Sequence, residues 1–206
     1  MSRIRLRHLV AFISIAVAAQ VACAQTDLAG SLYGAFSGTT NGNGVQQSPS
    51  NAAGVLVELR HIHNPLIGYE VTYAFNHNNQ TYTQSAAVCG ITCSTLVSSK
   101  YVPANAHQIT ADYVVSVPIF NFRPFVLAGG GLELNVPTGS TSQTSTATQT
   151  VFVYGAGLDY TILPHIGIRG QYRGSLYKAP QLATAFSSTG AFTKTAEPMV
   201  GAYLRF

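Results

Sequence analysis

Tryptophan is absent, methionine occurs twice, and only 9% of the residues carry charge. A water-facing domain draws about a quarter of its residues from Asp, Glu, Lys and Arg, so this chain is short of the means to keep a polar surface in water. No apolar run is long enough for a spanning helix. The longest, "LVAFISIAVAA", has eleven residues against the ~20 a helix needs to cross a bilayer. No segment keeps a helical period. There is no basic run past the first residues, which removes the usual footprint of nucleic-acid binding.

Cysteine is scarce as well: three in all, at Cys23, Cys89 and Cys93. The first eight residues, "MSRIRLRH", are basic. The apolar run follows, and "ACA" precedes Gln25. That order is an export signal with a small-x-small cleavage site, so residues 1–24 are expected to be removed and 25–206 to form the mature domain. A lipoprotein signal retaining Cys23 is the alternative processing, but Gln20 stands where an aliphatic residue belongs. Loss of Arg3, Arg5 and Arg7 leaves eight basic against seven acidic residues. The formal charge of +4 is therefore mostly a property of the signal. In an exported chain Cys89 and Cys93, in "CGITC", are expected to form a disulfide at a loop tip. No metal set and no cofactor site is expected, since "CGITC" offers two ligands and "HIH" (His61, His63) two more on one strand face, where zinc takes four.

What is present is alternation, in stretches of about ten residues. "GVLVELRH" sets Val55, Val57 and Leu59 against Leu56, Glu58 and Arg60. "IGYEVTYAFN" sets Ile67, Tyr69, Val71, Tyr73 and Phe75 against Gly68, Glu70 and Thr72. "HQITADYVVSV", "TVFVYGAGLDY" and "IGIRGQYRGSLY" behave alike, and "EPMVGAYLRF" carries the pattern to the final residue. With "AGSLYGAFSG" and "RPFVLAGGGLEL" the strands number eight. Three short turns alternate with four long Ser/Thr/Asn/Gly-rich connections. Turns on one side and loops on the other describe an all-β, eight-stranded antiparallel up-and-down transmembrane barrel.

The strand charges decide between bilayer and water. Glu58, Arg60, Glu70, Asp112, Asp159, Arg169, Arg173 and Arg205 all fall opposite an apolar face whose phase is set without them. Glu133 alone sets its own strand's phase. Asp27, Arg123 and Glu197 read as lying at strand ends or in connections. A charge on a lipid-facing wall costs ~2–4 kcal/mol at the midplane, so the nine strand charges are expected inside the lumen, joined in one contiguous ion-pair network. With no Trp, Tyr and Phe are left to form the interfacial girdles. Inward glycines (Gly68, Gly155, Gly157, Gly167) leave room for water, the one feature favouring a conducting path.

The signal, the eight strands, "RPFVLAGGG", "GIRGQYR" and the terminal "YLRF" together resemble the small outer-membrane β-barrel family, which includes OmpA-type barrel domains and OmpX-like proteins. The resemblance spans residues 26–206. It implies the outer membrane of a Gram-negative-type bacterium, outer-membrane lipid as surroundings and a monomer. It also implies an assembly signal at Phe206 and Leu204, read by the outer-membrane assembly machinery. It ends at the barrel, so a peptidoglycan tether is not implied. The expected role is structural or surface display through four loops that could hold an unknown ligand. A narrow porin-like channel is the alternative. A lipid-modifying barrel enzyme is disfavoured, because no His-x-Ser pair like that of barrel lipid deacylases is present.

Overall fold

Residues 25–64, 66–89, 93–139 and 143–206 are described by the computed structural model. The expected export signal with Cys23, and the side chains of the expected Cys89–Cys93 disulfide, lie outside the described residues. Strands β1 (Gln25–Ser37), β4 (Ala52–Ile62), β5 (Ile67–Cys89), β6 (Cys93–Ser116), β7 (Phe122–Pro137), β8 (Ala147–Leu163), β9 (Ile166–Lys178) and β10 (Phe192–Arg205) are the staves. Each pairs antiparallel with its sequence neighbour, and β10 pairs back onto β1, so the sheet closes. Closure removes the free edges that a bilayer, with no water to satisfy them, would penalise. Phe206 completes the ring: its N–H donates to the Thr26 carbonyl at 2.9 Å, and its ring is exposed on the outer side of the wall.

Alternation sorts the faces as the residue pattern predicts. Val55, Val57, Leu59, Tyr69, Val71 and Tyr73 are exposed, while Leu56, Glu58, Arg60, Glu70 and Thr72 between them are buried. The ambiguous strand β7 is settled by packing. Phe125, Leu127 and Glu133 point in; Val126, Leu132 and Leu134 point out.

Two of the long connections are more ordered than their polar composition suggests. The first holds a small hairpin, β2 (Thr40–Gly42) and β3 (Val45–Pro49), turned by Asn43 and Gly44 at φ 51° and 74°. Positive φ at both central residues is the tight-hairpin geometry that Asn-Gly favours. The second is not a loop. Strands β5 and β6 run on for 23 and 24 residues in unbroken register from Ile67↔Val115 to Cys89↔Cys93. About ten residues suffice to cross the bilayer, so roughly half of this ribbon stands outside it. Thr81, Tyr82, Thr83 and Val88 favour extended backbone, and the hydrophilic Gln84 and Ser85 between them suit a strand leaving the membrane.

The seam between β1 and β10 has one flaw. Register holds from Asp27↔Arg205 to Tyr33↔Met199 and resumes at Phe36↔Ala196. Pro198 falls in the gap, and a proline has no N–H to give to a ladder.

Candidate functional site

All seven acidic residues of the chain are buried: Asp27, Glu58, Glu70, Asp112, Glu133, Asp159 and Glu197 are each at most 5% exposed. Three arginines, Arg60, Arg169 and Arg173, are the largest of the fully buried side chains. Parity puts them in the lumen, because each sits on the face opposite the exposed apolar residues of its strand.

The charges form two tiers. In the lower one, toward the short turns, Arg169 is the hub. Its Nε and Nη2 donate to the two carboxylate oxygens of Asp159 at 2.6 and 2.8 Å. Its Nη1 meets Glu58, and Nη2 lies 3.7 Å from Asp27. Arg60 contacts Glu70 (2.7 Å), Glu58 (3.1 Å) and Asp159 (3.5 Å), and Arg205 closes onto Asp27 at 3.1 Å. Aromatic faces complete the packing. The Arg60 guanidinium lies 4.0 Å over the Phe125 ring, while Arg169 and Arg205 stand 5.3 and 5.0 Å over Tyr203. Arginine suits this role because its planar fork can pair bidentately and stack at once.

The upper tier is joined mostly through neutral side chains. Arg173 faces one acid, Glu197, at 3.8 Å. It otherwise donates to Thr72, Gln108 and Thr110. Thr110 in turn donates to Asp112, and Gln108 and Asn135 donate to Glu133. The expectation of one continuous ion-pair network therefore needs correction. Among the described residues, ion pairs join Glu58, Arg60, Glu70, Asp159, Arg169 and Arg205 through Asp27. Arg173, Asp112 and Glu133 are linked by hydroxyls and amides.

Asp27 and Glu197 belong inside as well, not at strand ends. Asp27 is missed if β1 is begun at Ala29, although it shares the parity of Ala29 and Ser31. Glu197 shares the parity of Tyr203 and Arg205, but Pro198 beside it reads as a break. Phe125 and Tyr203 were legible only as apolar residues. The inward glycines do not hold space for water. A Cβ at Gly157 would strike the Phe125 ring, one at Gly167 the Tyr203 ring and one at Gly68 the Ile62 side chain. Small positions on one stave receive large rings from another.

Above both tiers, the connection after β9 folds back across the mouth. Leu182, Ala183 and Phe186 are buried with Val45, Tyr82, Val102, Ala104 and Ala147. The Tyr82 hydroxyl donates to the Pro180 carbonyl at 2.7 Å and accepts from the Leu182 N–H at 2.9 Å. Gln47 donates to the same carbonyl at 2.9 Å. The fourth loop is thus a cap with its own apolar core, where the sequence suggested a polar display loop. Between cap and charges remains a polar cavity of about 10 Å³, lined by residues including Tyr33, Asn76, Gln108, Glu133 and Glu197, room for about one water.

The family model for the outer membrane protein beta-barrel domain matches residues 8–205. The chain belongs to this family. Its place is the outer membrane of a Gram-negative bacterium. Ail of Yersinia pestis, solved with the heparin analogue sucrose octasulfate, has a similar fold at 15% identity and TM-score 0.53, covering 89% of this chain and 99% of that one. Neisserial surface protein A is similar at 13% identity and TM-score 0.56 (88% and 97% covered). OprG of Pseudomonas aeruginosa is similar at 11% and 0.56 (89% and 96%). Identities this low carry the fold alone. No curated protein sequence matches the chain.

Further polar pairs lie toward the two rims. Thr26 Oγ1 and His61 Nδ1 are 3.0 Å apart at the turn side. Tyr73 and His107 (2.8 Å) and His77 and Asn105 (2.9 Å) pair toward the loop side. A hydroxyl beside an imidazole is one element of acyl-transfer chemistry, but that chemistry also needs an orienting group and oxyanion donors, and among the described residues no such set accompanies Thr26.

Proposed function

We propose that this protein is a monomeric, non-conducting outer-membrane barrel that serves the envelope structurally and presents a capped, ribbon-bearing outer surface. The observation that carries the reading is the burial of side chains at two levels of the lumen. The lower level is a plug of buried arginines and acids. The upper level is the apolar cap around Leu182 and Tyr82. An eight-stranded barrel is only wide enough for side chains to fill it, and buried side chains at both levels support that filling here. The alternative, a narrow channel for small solutes, would need both levels to open at once.

Proteoliposomes containing the folded protein should not swell in isotonic solutions of small sugars or amino acids. A swelling rate rising with the amount of protein would favour the channel.

A further inference from the structure

The chain separates its two kinds of cation. Its mature arginines lie on lumen-facing strand positions, while its three lysines, Lys100, Lys178 and Lys194, all lie toward the loop end and are not buried. With every acid in the lumen, no carboxylate pairs with any of the three among the described residues. Lys178 and Lys194 share the outward face of adjacent strands. Lys178 lies opposite Phe192, and Lys194 opposite Leu176. That makes the two lysines diagonal neighbours about 7–8 Å apart. Both point sideways from the wall, not up from the mouth.

Their depth is that of lipid headgroups. Ten residues separate Lys194 from Leu204, which at the usual rise and tilt is ~26 Å, the height of a barrel's apolar band. The exposed rings of Phe36 and Phe192 stand at the same rim. Below them on the same wall is an open apolar hollow of about 380 Å³, lined by Leu32, Tyr33, Gly34, Pro198, Met199 and Val200. It lies at the seam flaw, beside the short side chain of Pro198, with the Phe36 ring lying over Gly34. Pro198 is four residues below Lys194, ~10 Å deeper by the same rise and tilt, within the outer leaflet.

We propose that the β10 wall is a docking face for one outer-leaflet lipid bearing phosphate on its headgroup. The ammonium groups of Lys178 and Lys194 hold the phosphate, and an acyl chain lies in the hollow along Leu32, Pro198 and Val200, below the Phe36 ring. Charge complementarity selects an anion, and the sideways aim and the depth of the hollow select a lipid over a soluble ligand. A cation at a membrane surface contributes about 1 kcal/mol toward an anionic lipid.

The test uses the folded full chain in detergent, with bisphosphorylated lipid A as probe and its dephosphorylated form, with the same acyl chains, as comparison. Retained lipid is read by native mass spectrometry. The wild type should retain the phosphorylated form preferentially. The pair K178Q/K194Q should bind it on the order of 10- to 30-fold more weakly, and K100Q should not change it. V200W, which fills the hollow, should weaken both lipids alike. Heat-modifiable gel mobility verifies that each variant is folded. Equal retention by wild type and K178Q/K194Q would overturn the proposal, as would equal retention of the two lipids. Full displacement of lipid by inorganic phosphate would show a site for free anions, and would also overturn it.

Discussion

Replacing Arg169 with Met is expected to destabilise the barrel by about 3–5 kcal/mol, the range for removing one partner of a buried ion pair. Met fills much of the volume but leaves three acids short. Asp159 loses both of its short bonds from Arg169, with Arg60 3.5 Å away. Glu58 keeps only Arg60, and Asp27 keeps only Arg205. Arg173→Met is expected to cost less. Its one acid is at 3.8 Å, and its other partners are neutral groups that can bond to one another, as Thr72 and Thr110 already do at 2.8 Å. Urea unfolding in lipid vesicles, followed by gel mobility, ranks the two. Equal losses would mean that the tiers act as one network.

Tyr82→Ala is expected to release the cap while leaving the membrane barrel standing. Tyr82 is 1% exposed, bonds Pro180 and Leu182 through its hydroxyl and packs its ring 6.1 Å from that of Phe186. Truncating a buried aromatic costs about 3–5 kcal/mol. Here that cost falls on a local unit, because Tyr82 lies on the part of β5 beyond the bilayer. Chymotrypsin cleavage after Phe186, now buried, should therefore quicken on the order of a hundredfold where it tracks local opening. The unfolding midpoint of the barrel should hardly move. Tyr82→Phe keeps the ring, strands the Leu182 N–H and should fall between. An unchanged cleavage rate in the alanine variant would show that Tyr82 does not hold the cap.

Strand count, closure and the sorting of charges to one face were legible because the bilayer enforces them. Val55, Val57 and Leu59 cannot share a wall with Glu58, so period two reveals both sides. Charge partners were less legible. Which acid meets Arg169 depends on register around the whole ring, and Asp159 lies across β8–β9 while Glu58 reaches it from across the lumen. The cap was illegible for a different reason. "KAPQLATAFSSTGAFTKTAE" reads as a polar loop because its few large apolar residues, Leu182, Phe186 and Phe192, follow no strand period. The burial of Leu182 and Phe186 is created by Val45, Tyr82 and Val102, residues on strands that also read as loop. Local sequence carries the wall; the filling of its mouth is a matter of distant contacts.

Closure of the lumen is most directly tested by electrical recording. Purified, refolded protein inserted in a planar bilayer at neutral pH should give no steady ion current. Tyr82→Ala, with the cap released and the Arg60–Arg169 plug intact, should be equally silent. Steady, protein-dependent unitary currents from the wild type would contradict the account.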